Sequence, residues 1–250
     1  MAELEPDIFL SLVIPAFDEA ARIGETLRRV REYLGRQAYG SEVIVVDDGS
    51  TDGTAEIAAR HLEGVAHARV MRREENRGKG ASVREGILAS SGRLVLFSDT
   101  DLSTPIEEIE KFFPLIDRGF DVVIGSRALL ESDVQVHQSR GRELMGKTFN
   151  KLVRLFVLKR IPDTQCGFKL FRREAAFAVF PLVVTCGFCF DVEVLQLCAQ
   201  LGYRVAQVPV VWRDAPPSKV RVIRSSAGMI RDLIRIRRIH RRSAGKNPRE

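Results

Sequence analysis

Acidic side chains follow three short apolar runs, and their spacing suits the binding of a cation. Asp18-Glu19 follows the first run, Asp47-Asp48 the second and Asp99-Thr100-Asp101 the third. Carboxylates that converge are costly to bury unless a cation or hydrogen-bond donors meet them. Two carboxylates one residue apart, combined with substrate phosphates, suit Mg²⁺ or Mn²⁺. Asp99 and Asp101 are therefore candidate metal ligands.

Two further features of these loops have alternative interpretations. Asp48 can accept a hydrogen bond from a base or a ribose, as acids do at the crevice of a doubly wound sheet, or it can be a turn residue before Gly49. The turn Asn76-Arg77-Gly78-Lys79-Gly80 precedes a helical pattern and can seat a phosphate on the helix N-terminus. It lacks the spacing of a Walker loop, so a simple loop with a basic face remains the alternative.

The elements that must position these residues alternate along the chain. Apolar runs predict strands over 10–15, 42–46, 69–72, 94–97 and 122–124, and helical periodicity predicts helices over 19–34, 52–61, 79–89 and 105–116, with Asp52 as an N-cap. The second half predicts strands over 167–172 and 205–213, the latter at an edge or in an antiparallel pair, and a helix over 191–200. This order predicts an α/β fold, with a mostly parallel sheet that has helices on both faces and ligands beyond the carboxyl ends of its strands.

Composition is ordinary for a soluble globular protein and excludes several other classes. The 250 residues are 45% hydrophobic and include only four cysteines, which excludes a disordered chain and a disulfide scaffold. The longest nearly apolar stretch, residues 180–190, is well short of the ~20 residues that span a bilayer. The start of the chain is acidic and lacks the features of a signal peptide, so we expect a cytoplasmic location.

The net charge of +6 is concentrated in two segments. Residues 137–160 hold seven Lys/Arg and one acid, and residues 219–243 hold nine and one, so the rest of the chain is net negative. In a C-terminal helix, Met229, Leu233 and Ile236 fall on one stripe, with arginines about half a turn away. Solvated helix faces, nucleic acid and a membrane surface all remain compatible with this charge. The segment has no stacking aromatics among its arginines, so we expect basic amphipathic helices on a membrane surface and no nucleic acid.

The motifs together resemble the GT-A nucleotide-sugar domain of family 2 glycosyltransferases. The resemblance rests on the three acidic loops and the Asn76–Gly80 turn. Later strings narrow it towards polyprenyl-phosphate glycosyltransferases, most of all the dolichyl-phosphate β-glucosyltransferases: Gly125-Ser126-Arg127, the run from Asp163 to Phe171 (DTQCGFKLF), Phe190-Asp191-Val192-Glu193 and Ser218-Lys219. The resemblance covers about residues 9–238.

The resemblance implies roles for particular side chains. The nucleotide sugar would contact Pro15, Ala16, Phe17, Glu19, Val46, Asp48, Lys79, Asp99 and Thr100. Asp99 and Asp101 would hold Mg²⁺ or Mn²⁺, and the catalytic set would be Asp101, Arg127, Lys147 and Lys219, the basic residues handling phosphate. Candidates on the acceptor side are Asp163, Gln165 and Asp191. Mannose synthases have a glutamine where this chain has Ser103, so a third metal ligand is not assigned.

The implied activity is the inverting transfer of a hexose, glucose from UDP-glucose first, to the phosphate of a polyprenyl or dolichyl phosphate. We expect a peripheral protein on the inner face of the plasma membrane. One domain over 1–243 would comprise a nucleotide-sugar-binding half (9–127) and an acceptor and membrane-contact half (128–243), followed by a disordered tail (244–250). The alternatives are mannosyl transfer from GDP-mannose, transfer to a sugar hydroxyl with Asp163, Asp191 or Glu193 as base, and a non-catalytic module that binds lipid or RNA.

Overall fold

The computed structural model describes residues 8–134, 161–213 and 222–240, the side chains of 222–230 excepted. The predicted basic segment 137–160 with Lys147, the residue Lys219 and the tail 244–250 lie outside the described residues.

The elements alternate as the sequence predicts. The strands are β1 (Ile8–Ala16), β2 (Gly40–Asp47), β3 (Ala68–Arg72), β4 (Leu94–Ser98), β5 (Val122–Ser126), β6 (Asp133–Val134), β7 (Phe168–Arg172), β8 (Val205–Pro209) and β9 (Val211–Trp212). The α-helices are α1 (Ile23–Leu34), α2 (Thr54–Leu62), α3 (Lys79–Leu88), α4 (Phe113–Asp117), α5 (Arg173–Val179), α6 (Phe190–Gln200) and α7 (Val222–His240). Two 3₁₀ helices cover Ile106–Lys111 and Phe180–Leu182.

Seven of the described strands form one sheet in the order β3-β2-β1-β4-β7-β5-β8. All neighbours pair in parallel except β7, which is antiparallel to both β4 and β5. The prediction of a mostly parallel sheet is confirmed. The edge position of β8 is also confirmed, but its pairing with β5 is parallel. Because β7 lies between β4 and β5, the second half of the chain contributes a central strand beside the predicted metal ligands.

Alternate residues of each strand face two separate cores, so helices cover both faces of the sheet as predicted. On one face, Leu12 and Val45 pack with α1 and α2. On the other, Val13 and Val46 pack with α3, α5, α6 and α7. Gly86 of α3 lies so close to the sheet that an added Cβ would come within 2.4 Å of Val13, which explains a glycine inside this helix.

Three local predictions need correction. The helix predicted over 105–116 is a 3₁₀ turn followed by the short α4. The N-cap of α2 is Gly53 with φ of 89°, although Asp52 still accepts the first amide of the helix, from Thr54 at 3.1 Å. The third correction concerns the apolar stripe of α7.

The apolar stripe of α7 faces the protein. Leu233 and Ile236 belong to the core that α3 and α6 share, and His240 is buried beside them. The side chain of Met229 is not described. The expectation that this stripe contacts lipid is therefore wrong for Leu233 and Ile236, since both are buried in a core that also includes α6.

Candidate active site

The carboxyl ends of β1, β2 and β4 are tied into one edge. Thr100 donates its hydroxyl to the carbonyl of Pro15, and the hydroxyl of Thr26 on α1 donates to the carbonyl of Thr100. The amide of Asp48 donates to the carbonyl of Ala16 at 2.8 Å. The predicted convergence of the acidic loops is therefore observed.

Asp99 is held between two elements that are distant in sequence. Its Oδ1 lies 2.5 Å from Nζ of Lys79, the first residue of α3, and its amide donates to the carbonyl of Gly167 at 3.0 Å. A Cβ at Gly167 would come 2.0 Å from Asp99 Oδ2, so only glycine leaves room for this carboxylate. The Gly167 of the DTQCGFKLF string thus acts by letting β7 approach Asp99.

Asp101 lies close to the negative charge of Asp99. Its Oδ1 accepts the backbone amide of Ser103 at 2.9 Å. Burial and the charge of Asp99 raise the pKa of Asp101, against the opposing effect of Ser103 and Lys79. The next residue, Leu102, has φ of 45°, a sparsely populated conformation for a branched side chain. Such strained conformations cluster at functional sites.

A buried lysine lies beneath this edge and was not predicted. Lys169 of β7 is 1% exposed; its Nζ is 2.5 Å from Asp191 Oδ1 and 2.6 Å from the carbonyl of Cys166, and it lies 5.1 Å from the ring centre of Phe97. Burial raises the pKa of Asp191, while Lys169 and Lys79 oppose that rise. The available signal was a lysine inside an apolar strand, because a buried ammonium requires a carboxylate partner.

These side chains form one charge cluster with an excess of carboxylate. Asp99, Asp101 and Asp191 face two ammonium groups, Lys79 and Lys169. Burial lowers the pKa of Lys79, but Asp99 and Asp191 outweigh burial, so its pKa is raised overall. Across the described residues, no group of three or more His, Cys, Asp or Glu side chains could hold a metal ion. Two carboxylates fit a divalent cation that takes its other oxygen ligands from phosphate and water.

Asp48 organises the glycine-rich turn before α3. It is 2% exposed, and its carboxylate accepts the amides of Arg77 at 3.0 Å and Gly78 at 2.7 Å. Arg73 donates to the same carboxylate at 2.9 Å and also binds Glu85. Sequence reasoning missed Arg73, because nothing in its local pattern separates it from the other arginines of that region.

The turn is also clamped from the opposite side. The amide of Gly80 donates to the carbonyl of Cys186 at 2.7 Å. A Cβ at Gly78 would come 2.5 Å from that carbonyl oxygen, and one at Gly80 would come 2.5 Å from the carbonyl oxygen of Thr185. Both glycines are therefore required by close backbone packing, and they fix the N-terminus of α3, where Lys79 lies.

Arg127 lies at the end of β5 and is bound by Asp163. Nε and a terminal nitrogen of Arg127 donate to the two carboxylate oxygens at 2.7 and 2.9 Å, and the guanidinium stacks on Trp212 at 5.4 Å. Burial alone would raise the pKa of Asp163, but the charge of Arg127 outweighs burial, so this pKa is lowered. The backbone amide of Gln165 donates to Oδ1 of Asp163 at 3.2 Å. The pair fixes Arg127 in one orientation.

The remaining predicted contacts differ in accessibility. Phe17 is 42% exposed at the edge, as a base-stacking residue should be. The amide of Glu19 donates to Thr54 at 2.8 Å, and its carboxylate pairs with Arg22 at 2.5 Å. The side chain of Val46 is fully buried against α3, so Val46 can reach a nucleotide only through its backbone. The predicted phosphate contacts Lys147 and Lys219 lie outside the described residues.

An α/β sheet with paired carboxylates after its fourth strand and a glycine-rich turn opposite them has the architecture of a GT-A glycosyltransferase. The sequence model of "Glycosyl transferase family 2" matches residues 11–180. The chain belongs to this family.

Curated relatives extend over nearly the whole chain. A dolichyl-phosphate beta-glucosyltransferase of Dictyostelium discoideum is 35% identical, covering 92% of this chain and 74% of its own length. The proteins of the same name from Saccharomyces cerevisiae and Homo sapiens are 34% and 35% identical, over 93% and 91% of this chain and 75% and 74% of their own lengths.

Solved structures share the fold at lower identity. Mannosyl-3-phosphoglycerate synthase of Rubrobacter xylanophilus has a TM-score of 0.69 at 20% identity, covering 97% of this chain and 77% of its own. Glucosyl-3-phosphoglycerate synthase of Mycobacterium tuberculosis, in complex with Mn²⁺, UDP and phosphoglyceric acid, has a TM-score of 0.67 at 23% identity, covering 95% and 79%. In the described part of the chain, no helix is both long and apolar enough to span a bilayer.

Proposed function

We propose that this chain transfers glucose from UDP-glucose to the phosphate of a polyprenyl or dolichyl phosphate, with inversion at the anomeric carbon. The observation that carries the proposal is the pair Asp99 and Asp101 beside Lys79, at the end of β4 and facing the glycine-rich turn. The names of the curated relatives support dolichyl phosphate as the acceptor and glucose as the transferred sugar. The UDP bound in a structural neighbour supports UDP-glucose as the donor.

The donor side needs positive charge at the diphosphate. Asp99 and Asp101 would hold Mg²⁺ or Mn²⁺, which would neutralise the leaving diphosphate. Lys79 lies at the N-terminus of α3, where amide groups and the helix dipole favour an anion. Asp48 keeps this turn in place through the amides of Arg77 and Gly78. Phe17 would stack on the base.

The acceptor side favours a phosphate over a sugar hydroxyl. A phosphate monoester has a second pKa of about 6 and is largely a dianion at neutral pH, so it needs no general base. The three carboxylates considered as bases are already engaged. Asp163 binds Arg127 and Asp191 binds Lys169. Glu193 accepts the backbone amides of Val184 and Thr185. The chain's task is then to align two phosphate groups that repel each other. Arg127 would orient the acceptor phosphate. The resemblance to polyprenyl-phosphate glycosyltransferases gives Lys147 and Lys219 the same role.

The proposal places the enzyme as a peripheral protein on the inner face of the plasma membrane. The exposed arginines of α7 support this location, because the cytoplasmic leaflet carries a negative surface potential. A lipid acceptor requires contact with a membrane, and the donor is water-soluble.

Product formation tests the proposal directly. The full chain is incubated with Mn²⁺ and a short-chain polyprenyl phosphate in detergent, with either UDP-glucose or GDP-mannose. We expect a glucosylated lipid phosphate with β configuration from UDP-glucose, and no product without a divalent cation. A product formed from GDP-mannose but not from UDP-glucose would make GDP-mannose the donor. Transfer only to phosphoglyceric acid or to a sugar hydroxyl would contradict the acceptor.

A further inference from the structure

A row of apolar side chains is exposed beside the candidate site. In residues 182–188, here called the strap, side chains alternate between the core and the solvent. Val183 and Thr185 are buried, whereas Leu182 is 47%, Val184 41% and Phe188 41% exposed. The exposed side chains are large and apolar, so the strap presents a hydrophobic edge that the described part of the chain leaves uncovered.

The strap is fixed on its inner side, so its exposure reflects an ordered backbone. Glu193 of α6 is fully buried and accepts the amides of Val184 at 3.2 Å and Thr185 at 2.8 Å. The same carboxylate is 2.7 Å from Nε2 of His240, near the end of α7. Buried hydrogen bonds to a carboxylate are among the stronger ones in proteins. Glu193 thus joins the strap to α6 and α7.

The helix α7, which carries exposed arginines, adjoins the strap. Gly187 of the strap lies beside Asp232, since a Cβ at Gly187 would come 3.8 Å from Asp232 Oδ2. Arg235 is three residues further along the helix, on the same side as Asp232. Arg231 and Arg238 are also exposed, on the face away from the buried Leu233 and Ile236. The apolar strap therefore meets, at Gly187 and Asp232, the helix that carries these arginines.

We propose that the strap and the arginine face of α7 together dock on the surface of an anionic lipid bilayer. Apolar side chains at the rim of a cationic face match the interface, where acyl chains adjoin negatively charged head groups. Leu182, Val184 and Phe188 enter the boundary between head groups and acyl chains, while Arg231 and Arg235 bind lipid phosphates. Leu233 and Ile236 of the apolar stripe of α7 take no part in this docking, because they pack inside the protein.

Docking through this surface brings the donor site to the membrane. The carbonyl of Cys186 in the strap binds Gly80 of α3, and the neighbouring Lys79 binds Asp99. The charge cluster is therefore joined to the docked strap by a single helix turn. The docking surface itself follows from the described residues, but its use in bringing the site to a lipid acceptor rests on the proposed function.

Sedimentation with vesicles tests the docking surface without any substrate. Full-chain protein is mixed with vesicles of phosphatidylcholine containing phosphatidylglycerol, and the bound fraction is measured against lipid concentration and salt. We expect Val184→Ser/Phe188→Ser to weaken binding by about 30-fold, from the lost burial of two apolar side chains. Arg231→Glu/Arg235→Glu should weaken it by at least about 10-fold and flatten its salt dependence.

Matched controls remove similar groups from other surfaces. Leu130→Ser removes an exposed leucine after β5, and Arg60→Glu/Arg118→Glu reverses two exposed charges. Neither should change vesicle binding by more than about 2-fold, since neither site adjoins the strap. The strap variants should keep Mn²⁺-dependent binding of UDP, which shows that they fold.

The outcomes separate the docking surface from the proposed function. Unchanged vesicle binding by both strap and arginine variants would overturn the docking surface, even if the chain glucosylates a detergent-solubilised acceptor. A strap-dependent dimer with no vesicle binding would overturn it too and make the surface an interface between two copies. Strap-dependent vesicle binding without glucosyl transfer in detergent would leave the docking surface in place and refute the proposed function.

Discussion

Two pairs of carboxylates in and around the candidate active site have different surroundings. Asp48 and Asp163 are buried, and each accepts several hydrogen bonds that include an arginine, Arg73 or Arg127. Asp99 pairs with Lys79, and burial and repulsion by Asp99 raise the pKa of the neighbouring Asp101. The first pair, the scaffold carboxylates, is satisfied within the protein. The second pair, the site carboxylates, needs a further positive charge.

This difference separates carboxylates that stabilise the fold from carboxylates that are able to bind a ligand. A carboxylate whose lone pairs are filled by arginine and backbone amides has little capacity left for a ligand. A carboxylate that repels its neighbour is stabilised when a cation arrives. Replacing a scaffold carboxylate should therefore cost stability, and replacing a site carboxylate should cost activity.

The largest effect is expected where a buried charge loses its partner. Lys169→Met leaves Asp191 buried without its ammonium, and such losses cost about 3–5 kcal/mol. Urea unfolding at neutral pH measures the change. The double variant Lys169→Met/Asp191→Leu should recover much of it, because it removes both buried charges. Arg36→Met, on the exposed pair with Glu32, should change stability by less than about 1 kcal/mol. A loss below that value for Lys169→Met would contradict the pairing.

Asp101→Asn should reduce glucosyl transfer by about 100- to 1,000-fold, equivalent to about 3–4 kcal/mol of transition-state stabilisation. The free energy of unfolding should stay constant or rise, because the substitution removes repulsion with Asp99. Initial rates at saturating donor, with parallel unfolding curves, check both statements. Asp117→Asn, an exposed carboxylate of α4, serves as the control. A folded Asp101→Asn enzyme with the rate of the natural chain would refute its role.

Asp163→Asn should destabilise the chain by about 3 kcal/mol, because Arg127 loses a two-point ion pair whose carboxylate is buried. Transfer should fall less steeply than in Asp101→Asn, since the backbone and Trp212 still hold Arg127 near its position. Urea unfolding and steady-state rates measure the two effects. A stable variant with unchanged unfolding would show that the pair positions nothing.

The pH dependence of the same variant has a defined sign. The pKa of Asp163 is lower in the folded chain than its ordinary value of 3.8. The stabilisation is therefore fully present above about pH 4 and is lost as pH falls through the lowered folded pKa. The difference in unfolding free energy between the natural chain and Asp163→Asn should be constant from pH 7 to 5 and shrink below pH 4. A difference that grows on acidification would contradict the direction of the shift.

Asp48→Asn should have the smallest effect, about 1–2 kcal/mol of stability. An amide nitrogen would then face donors such as the amide of Gly78 or Arg73. The affinity for UDP should fall modestly, because the turn before α3 loosens. An unfolding curve and a UDP titration check this. Unchanged stability with at least a 100-fold loss of UDP affinity would instead make Asp48 a direct nucleotide contact.

The sequence predicts the convergence of the acidic loops because apolar runs and turn residues determine where parallel strands end. It does not predict the antiparallel β7, since the order of strands depends on packing between distant segments. The pair Lys169–Asp191 was missed for the same reason, as its members are 22 residues apart and on different elements. The stripe of α7 was misassigned because Leu233 and Ile236 at helical spacing fit a protein core as well as a lipid interface.

Titration of UDP into the natural chain and into Asp101→Asn, each with and without Mn²⁺, tests the central claim most directly. Isothermal calorimetry gives both affinities, with Asp117→Asn as the control. The account predicts that Mn²⁺ strengthens UDP binding to the natural chain and to Asp117→Asn, and that Asp101→Asn loses this gain while it remains folded. An equal gain with Mn²⁺ in Asp101→Asn would contradict the assignment of the site carboxylates.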